Sequence, residues 1–143
     1  MEENMFDFKF NWDPQLEIGI NELDQQHQQL FKIGRCIEQH LIVHCAGATD
    51  EGLMAILYEL RDYITYHFFT EEEYMEEIGY PDLETHKIQH KRFKDDINKI
   101  DYEQLCAEPQ SSLINLRDYL VSWIFEHMVH EDQKIAQYIN TKN

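Results

Sequence analysis

The sequence predicts an all-α protein, an antiparallel up-down-up-down four-helix bundle with an extended N-terminal arm. Apolar residues recur at alternating steps of three and four along four stretches, which is the period of an amphipathic helix. Short connections containing glycine, proline or serine separate these stretches, and short connections make neighbouring helices antiparallel. The chain has 143 residues, which favours a single domain, residues 1–143. The expected helices cover about residues 19–45, 50–78, 82–106 and 111–139.

The N-terminal arm, residues 1–18, carries an aromatic side chain at every second position near its centre. These residues are Phe6, Phe8, Phe10 and Trp12. A period of two indicates an extended segment. Because no second strand is predicted to pair with it, we expect the arm to lie across the bundle, with its aromatic rings covering the core.

The first two helices are predicted from two uninterrupted seams. The first consists of Ile20, Leu23, His27, Leu30, Gly34, Ile37 and Leu41. Gly47 is expected to end this helix as its C′ residue, and Thr49 or Asp50 to cap the next one. The second seam consists of Leu53, Leu57, Leu60, Ile64, His67, Glu71, Tyr74 and Ile78.

The last two helices follow a Gly79-Tyr80-Pro81 stop, after which Pro81 or Asp82 is expected to open the third helix. The third seam consists of Leu83, His86, His90, Phe93, Ile97 and Ile100. Pro109, Ser111 and Ser112 mark the last connection. The fourth seam consists of Leu113, Leu116, Leu120, Trp123, Ile124, His127, Met128, Ile135 and Ile139.

The composition excludes several classes of partner. The chain has 28 Asp and Glu residues against 12 Lys and Arg residues, a formal net charge of −16. Nucleic acids and anionic membranes attract basic surfaces, so neither is expected as a partner. No apolar stretch is long enough to span a membrane, and the first residues lack a signal-peptide pattern. The three cysteines are odd in number and form no C-x-x-C motif, which favours a reducing cytoplasm.

Polar residues occupy seam positions that a bundle reserves for apolar side chains. They are His27, His67, His86, His90, His127 and Glu71. A single histidine on an apolar face is usually an ordinary core residue. Six such residues in four seams are different, because a buried unpaired imidazole or carboxylate is costly. They must satisfy one another or share a cation.

The spacing of these residues favours a metal site. His67 and Glu71 are four residues apart, as are His86 and His90, so each pair lies on one helix face. Such a pair can chelate one metal or serve two adjacent metals. Nitrogen and carboxylate ligands without thiolate suit iron, manganese, zinc or copper.

The last helix offers two carboxylate companions for His127. Glu131 lies four residues further on, as in the other pairs, but Lys134 follows it as if facing solvent. Asp132 lies five residues on and continues the apolar stripe of Met128, Ile135 and Ile139, so Asp132 is preferred. Five imidazoles and two carboxylates are too many for one six-coordinate metal and suit two, whereas zinc normally takes four ligands.

Together these motifs resemble the hemerythrin family, in its bacterial single-domain form. The resemblance covers nearly the whole chain. It rests on the Trp12 segment, a Gly-Ile-x-x-x-Asp-x-x-His run ending at His27, a His-Phe-x-x-Glu-Glu-x-x-Met run from His67 to Met75, Tyr80-Pro81 before His86 and His90, and Trp123-x-x-x-His127 with Asp132.

The resemblance implies a function: reversible binding of molecular oxygen, for storage, delivery or buffering, at two non-haem iron ions. One iron would take His86, His90 and His127, and the other His27 and His67. Glu71 and Asp132 would bridge them together with an oxo or hydroxo group, leaving the second iron one open position for oxygen. Some of four neighbouring apolar residues would line the oxygen pocket, or else be ordinary core: Leu30, Phe68, Trp123 and Ile124.

Two other classes of function compete with oxygen binding. Di-iron oxygenases and ferritin-like ferroxidases build their sites from Glu-x-x-His pairs, and none occurs here, so we expect no enzyme. An oxygen, redox or nitric-oxide sensor, or an iron-handling protein, is the main alternative. Iron-repair relatives repeat the His-x3-Glu motif and carry an N-terminal cysteine, whereas here His86 pairs with His90 and the first 26 residues lack cysteine.

Overall fold

The computed structural model describes residues 8–142 and is helical over most of that length. The long helices are α1 (Asn21–Ile42), α2 (Asp50–Glu77) and α3 (Leu83–Asn98). They are followed by a short helix α4 (Tyr102–Ala107), then α5 (Pro109–Trp123), a π-helical segment (Ile124–Asp132) and α6 (Gln133–Lys142). Within the described chain there is no strand, so the predicted all-α class is confirmed.

The bundle has four helical columns. Helix α1 packs against both α2 and α5, and α2 packs against α3. The fourth column is α5, the π-helical segment and α6 in direct succession. No helix in residues 8–142 combines the length and apolar character that crossing a membrane requires.

The turn after α1 differs from the prediction. The helix ends at Ile42, so Gly47 is not its C′ residue. His44 and Cys45 adopt positive φ angles of 50° and 58°, and the Cys45 amide donates a hydrogen bond to the His40 carbonyl at 2.7 Å. Non-glycine residues therefore make the reversal. Gly47, with φ of 78°, lies later in the same turn.

The cap predicted for α2 is present. The Thr49 hydroxyl accepts a hydrogen bond from the Gly52 amide at 3.0 Å. Such a bond satisfies one of the amide groups that have no partner in the first turn of a helix. At the other end of α2, Gly79 has a φ of 69°, a left-handed conformation that glycine adopts readily.

The predicted third helix, 82–106, is broken in two. Helix α3 ends at Asn98, and Asp101 begins α4 by accepting a hydrogen bond from the Glu103 amide at 2.9 Å. Aspartate competes for backbone amide groups and so favours a helix start over a helix interior. The last column begins at Pro109 rather than 111, because proline fits the first position of a helix.

The N-terminal arm lies across the bundle as predicted for its described part, while Phe6 is outside the described residues. Phe10 is 3% exposed and meets the Phe31 ring edge-on at 5.9 Å between centroids. Trp12 meets the same ring at 5.3 Å. The Phe10 ring fills the space that a Cβ atom on Gly34 would occupy, so this glycine permits the close approach.

The apolar core is divided along the bundle axis. A large cluster, which includes Leu30, Phe68 and Phe93, fills most of the bundle. A small cluster is formed by Met75, Tyr80 and Ile135. Glu71 in α2 and Asp132 in the π-helical segment fall between these two clusters in the sequence, which sets the level of the candidate site.

Candidate metal centre

All seven side chains predicted as ligands converge at one level of the bundle, and none is more than 3% exposed. Helix α1 contributes one residue, α2 and α3 contribute two each, and the π-helical segment contributes two. They are His27, His67, Glu71, His86, His90, His127 and Asp132.

The two oxygen atoms of Glu71 face different histidines. Its Oε1 atom lies 2.9 Å from Nε2 of His86 and 3.0 Å from Nε2 of His90. Its Oε2 atom lies 3.4 Å from Nε2 of both His27 and His67. One carboxylate therefore contacts two separate groups of imidazoles.

Asp132 divides its oxygen atoms in the same way. Its Oδ1 atom lies 3.0 Å from Nε2 of both His86 and His127, and its Oδ2 atom lies 3.2 Å from Nε2 of His27. A group of three histidines thus faces one side of the two carboxylates and a group of two faces the other. The three-histidine group is His86, His90 and His127, and the two-histidine group is His27 and His67.

In three of the histidines the outer ring nitrogen, Nδ1, has a hydrogen-bond partner that sets the protonation of the inner nitrogen, Nε2. Three side chains accept from Nδ1 atoms: Gln26 from His67 at 2.6 Å, Glu72 from His90 at 2.8 Å and Gln89 from His127 at 3.1 Å. A neutral imidazole carries one N–H, so a donor at Nδ1 leaves a lone pair at Nε2. The inner atoms of these three rings are therefore free to bind a cation.

The arrangement fits metal ions better than protein groups alone. Nε2 of His90 and Nε2 of His127 lie 3.1 Å apart, so two lone pairs face each other. Oε2 of Glu71 and both oxygens of Asp132 have no hydrogen-bond partner among the residues described. Buried polar atoms rarely stay unpaired. Shared cations would satisfy all of them, and the donor atoms within reach of one another form one group on each side of Glu71.

Without a metal, protons must balance the two carboxylates. Burial disfavours a charge on His27, but the nearby carboxylates of Asp132 and Glu71 favour it more strongly and raise the pKa of His27 to about 10. Burial and the same two partners act on His86, whose pKa is also raised to about 10. The site is therefore built to hold positive charge.

Burial favours Asp132 over Glu131 as the carboxylate companion of His127. Asp132 is fully buried and contacts three histidines, whereas Glu131 forms an ion pair with Lys134 at 3.1 Å. The π-helical segment explains the five-residue spacing, because its longer turn aligns residues five apart.

Of the predicted oxygen-pocket residues, Leu30, Phe68 and Ile124 belong to the large apolar cluster, and Trp123 packs against it. Phe68 stacks on His90 with centroids 3.8 Å apart and an interplanar angle of 3°. Trp123 stacks on His127 at 4.4 Å and 20°. Leu30 is fully buried and Ile124 is 7% exposed. The two aromatic rings thus hold histidines of the three-histidine group in place.

Sequence reasoning missed the residues behind the histidines. No role was predicted for Glu72, but its carboxylate accepts a hydrogen bond from His90. Gln26, Glu72 and Gln89 each stand next to a predicted ligand in the sequence, which is the one signal that points to them. Tyr63 was also missed; its ring stacks on His67 at 5.2 Å and 15°.

Comparisons with known proteins match most of the chain to one family. The model of the family described as Hemerythrin HHE cation binding domain matches residues 18–139. A bacteriohemerythrin of Clostridium acetobutylicum is 30% identical over 125 residues, covering 87% of this chain and 97% of the relative. A bacteriohemerythrin of Stenotrophomonas maltophilia is 32% identical over 129 residues, covering 90% and 80%. A hemerythrin-like protein of Naegleria gruberi is 30% identical over 87 residues, covering 61% and 65%.

Proposed function

The chain belongs to the hemerythrin family, and from this premise we propose that it binds molecular oxygen reversibly at a centre of two iron ions. One observation carries the proposal: the oxygen atoms of Glu71 and of Asp132 are divided between a three-histidine group and a two-histidine group. A carboxylate that faces two cation positions is suited to bridge them.

The ligand assignment follows this division. His86, His90 and His127 would hold one iron, and the two-histidine group would hold the other. Glu71 and Asp132 would bridge the two, with an oxo or hydroxo group as a further bridge. When bound, a ferrous pair would supply the two electrons that the binding of oxygen requires.

The protein orients the histidine rings and excludes water from the centre. Gln26, Glu72 and Gln89 fix the tautomer of three histidines and hold their rings in place, as partners of metal-bound imidazoles commonly do. Phe68, Trp123, Leu30 and Ile124 cover the centre. We assign all four residues to the wall of the oxygen pocket. Excluding water protects bound oxygen from protons and reductants, which reversible binding requires.

A binding role is favoured over catalysis by the donor set. The centre offers five imidazoles and two carboxylates, so it supplies less negative charge to iron than a carboxylate-rich site would. Highly oxidised iron should therefore be less accessible.

The three cysteines, Cys36, Cys45 and Cys106, are free thiols, which is consistent with our placing the protein in a reducing cytoplasm.

The test is an absorption spectrum of iron-loaded protein recorded without oxygen, with oxygen, and after oxygen is removed. We expect two irons per chain and a coloured form that becomes colourless again on deoxygenation. Colour that decays into ferric protein or into product would instead identify an oxidase, and one bound zinc would overturn the metal assignment.

Two histidine variants provide the matched comparison. His67→Ala should abolish the coloured form while the far-ultraviolet circular dichroism stays helical. His130→Ala changes an exposed histidine close to Asp132 and should keep full oxygen binding. Normal oxygen binding by His67→Ala would remove this residue from the centre.

A further inference from the structure

A cleft of about 540 Å³ lies between α1 and α2, on the outside of the two-histidine group. Each helix contributes a stripe of four lining residues. In both stripes, successive residues are three, one and three positions apart in the sequence. The α1 stripe is Glu22, Gln25, Gln26 and Gln29, and the α2 stripe is Glu59, Asp62, Tyr63 and Tyr66. This spacing presents a single face of each helix to the cleft.

The charge of this cleft favours cations. Its lining contains the carboxylates of Glu22, Glu59 and Asp62 and no basic side chain. A second cleft, of about 440 Å³, lies on the α3 and α5 side and reaches His127, but there Arg92 offsets one of the three carboxylates in the lining. A groove lined with one sign of charge concentrates the opposite ion and accelerates its association.

The inner end of the α1–α2 cleft touches the metal centre through two residues. Gln26, which is 9% exposed, accepts the hydrogen bond from Nδ1 of His67, and the Tyr63 ring stacks on His67. Both residues therefore contact the same ligand of the two-histidine group. The cleft leads to the side of the centre that has fewer protein ligands.

Tyr63 provides an independent sign of a ligand. The residue is 7% exposed, and its hydroxyl has no hydrogen-bond partner in the part of the chain that the structure describes. A buried hydroxyl without a partner is unusual, because it loses its bonds to water without replacement. A cation that passes from the carboxylates at the outer rim, Glu59 and Asp62, towards His67 would give this oxygen a partner.

We propose that the α1–α2 cleft, from the carboxylates of Glu59 and Asp62 to the Tyr63 hydroxyl and His67, is the route by which divalent metal ions enter the centre. The proposal rests on the metal centre described above but not on oxygen binding. It concerns the rate at which metal enters the centre, because the rim carboxylates, Glu59 and Asp62, are not among the proposed ligands. Final metal content should therefore be independent of them.

The test follows uptake of Co²⁺ by metal-free protein in a stopped-flow spectrometer, with the visible absorption of nitrogen-bound and oxygen-bound cobalt as the signal. Glu59→Gln combined with Asp62→Asn removes two charges from the rim. Glu103→Gln combined with Glu108→Gln removes two charges from exposed positions outside the cleft and serves as the matched control. Each protein is measured at low and at high salt.

We expect the rim variant to load about tenfold more slowly at low salt, with the difference from the control shrinking at high salt as the charges are screened. Tyr63→Phe, which keeps the ring but removes the oxygen, should also load more slowly. All variants should reach the same final cobalt content. Equal loading rates for the rim variant and the control would overturn the entry route. Failure of the unmodified chain to bind two cobalt ions would instead contradict the proposed centre.

Discussion

His127 and Asp132 are five residues apart in the sequence, yet Nε2 of His127 and Oδ1 of Asp132 lie 3.0 Å apart. In a regular α-helix, residues five apart differ by about 140° around the axis and do not share a face. The π-helical segment Ile124–Asp132 lengthens the turn and brings both side chains to the same side. Local distortion of the backbone thus completes the centre.

The first prediction separates Asp132 from Glu131. Asp132→Ala removes a carboxylate that contacts both histidine groups, so iron content should fall from two per chain to about one or less. Glu131→Ala removes the partner of Lys134 and a hydrogen bond to Gln89 but no group that faces the inner ring nitrogens, so it should leave both irons in place. Metal analysis after desalting provides the measurement. Loss of iron in the Glu131 variant alone would reverse the assignment.

The second prediction concerns the glutamine behind His67. Gln26→Leu removes the acceptor at 2.6 Å from Nδ1 and frees the ring to turn or change tautomer. Metal affinity should fall by about 10- to 100-fold, which is typical when such a partner is lost. Competition with a coloured chelator measures the affinity. Gln26→Glu keeps an acceptor oxygen and should bind more tightly than Gln26→Leu; if the two bind equally, the hydrogen bond has no part in holding the ring.

Much of the centre could be anticipated because its residues interrupt a periodic pattern. His27, His67 and His90 stand where the seam requires apolar side chains, and the structure brings them together. The companion of His127 was suggested by a shift in the apolar stripe, which the π-helical segment explains. The residues behind the histidines left no periodic trace, since Gln26 and Gln89 occupy polar positions that any surface glutamine could hold.

The helix boundaries were less predictable for a local reason. Ile97 and Ile100 continue the third seam, so the apolar pattern runs through the break after Asn98. The backbone there is decided by Asp101, whose side chain bonds to the Glu103 amide and starts a new helix. Capping of this kind competes with helix continuation at a single residue, and a pattern averaged over several turns does not detect it.

The third prediction is that the metal-free protein remains helical but unfolds at a lower temperature. Its apolar clusters do not depend on metal, whereas Glu71 and Asp132 lose the cations that satisfy them. A metal present at a thousand times its dissociation constant stabilises the fold by about 4 kcal/mol, which corresponds to about 14 °C in a chain of this size. Thermal unfolding with and without a chelator provides the measurement. Asp132→Ala is the control and should show a smaller shift; equal melting temperatures with and without metal would contradict a shared-cation centre.

The fourth prediction tests how the N-terminal arm is held. Glu38 is fully buried and accepts hydrogen bonds from the backbone amides of Lys9 at 2.7 Å and Phe10 at 3.2 Å. Arg35 and Arg117 each lie 3.9 Å from its oxygens and balance its charge. Glu38→Ala leaves the buried Phe10 amide without an acceptor and should lower the free energy of unfolding by about 1–3 kcal/mol.

Glu38→Gln separates the acceptor from the charge. It keeps one oxygen for an amide of the arm but loses the attraction of both arginines, so its loss of stability should be smaller than that of Glu38→Ala. Urea unfolding followed by circular dichroism measures both, and fluorescence of Trp12 reports the position of the arm. If Glu38→Ala matches the unmodified chain in stability, then the packing of Phe10 on Gly34 and Phe31 suffices to hold the arm. Equal losses for the two variants would show that the charge of Glu38, rather than its hydrogen bonds, fixes the arm to α1.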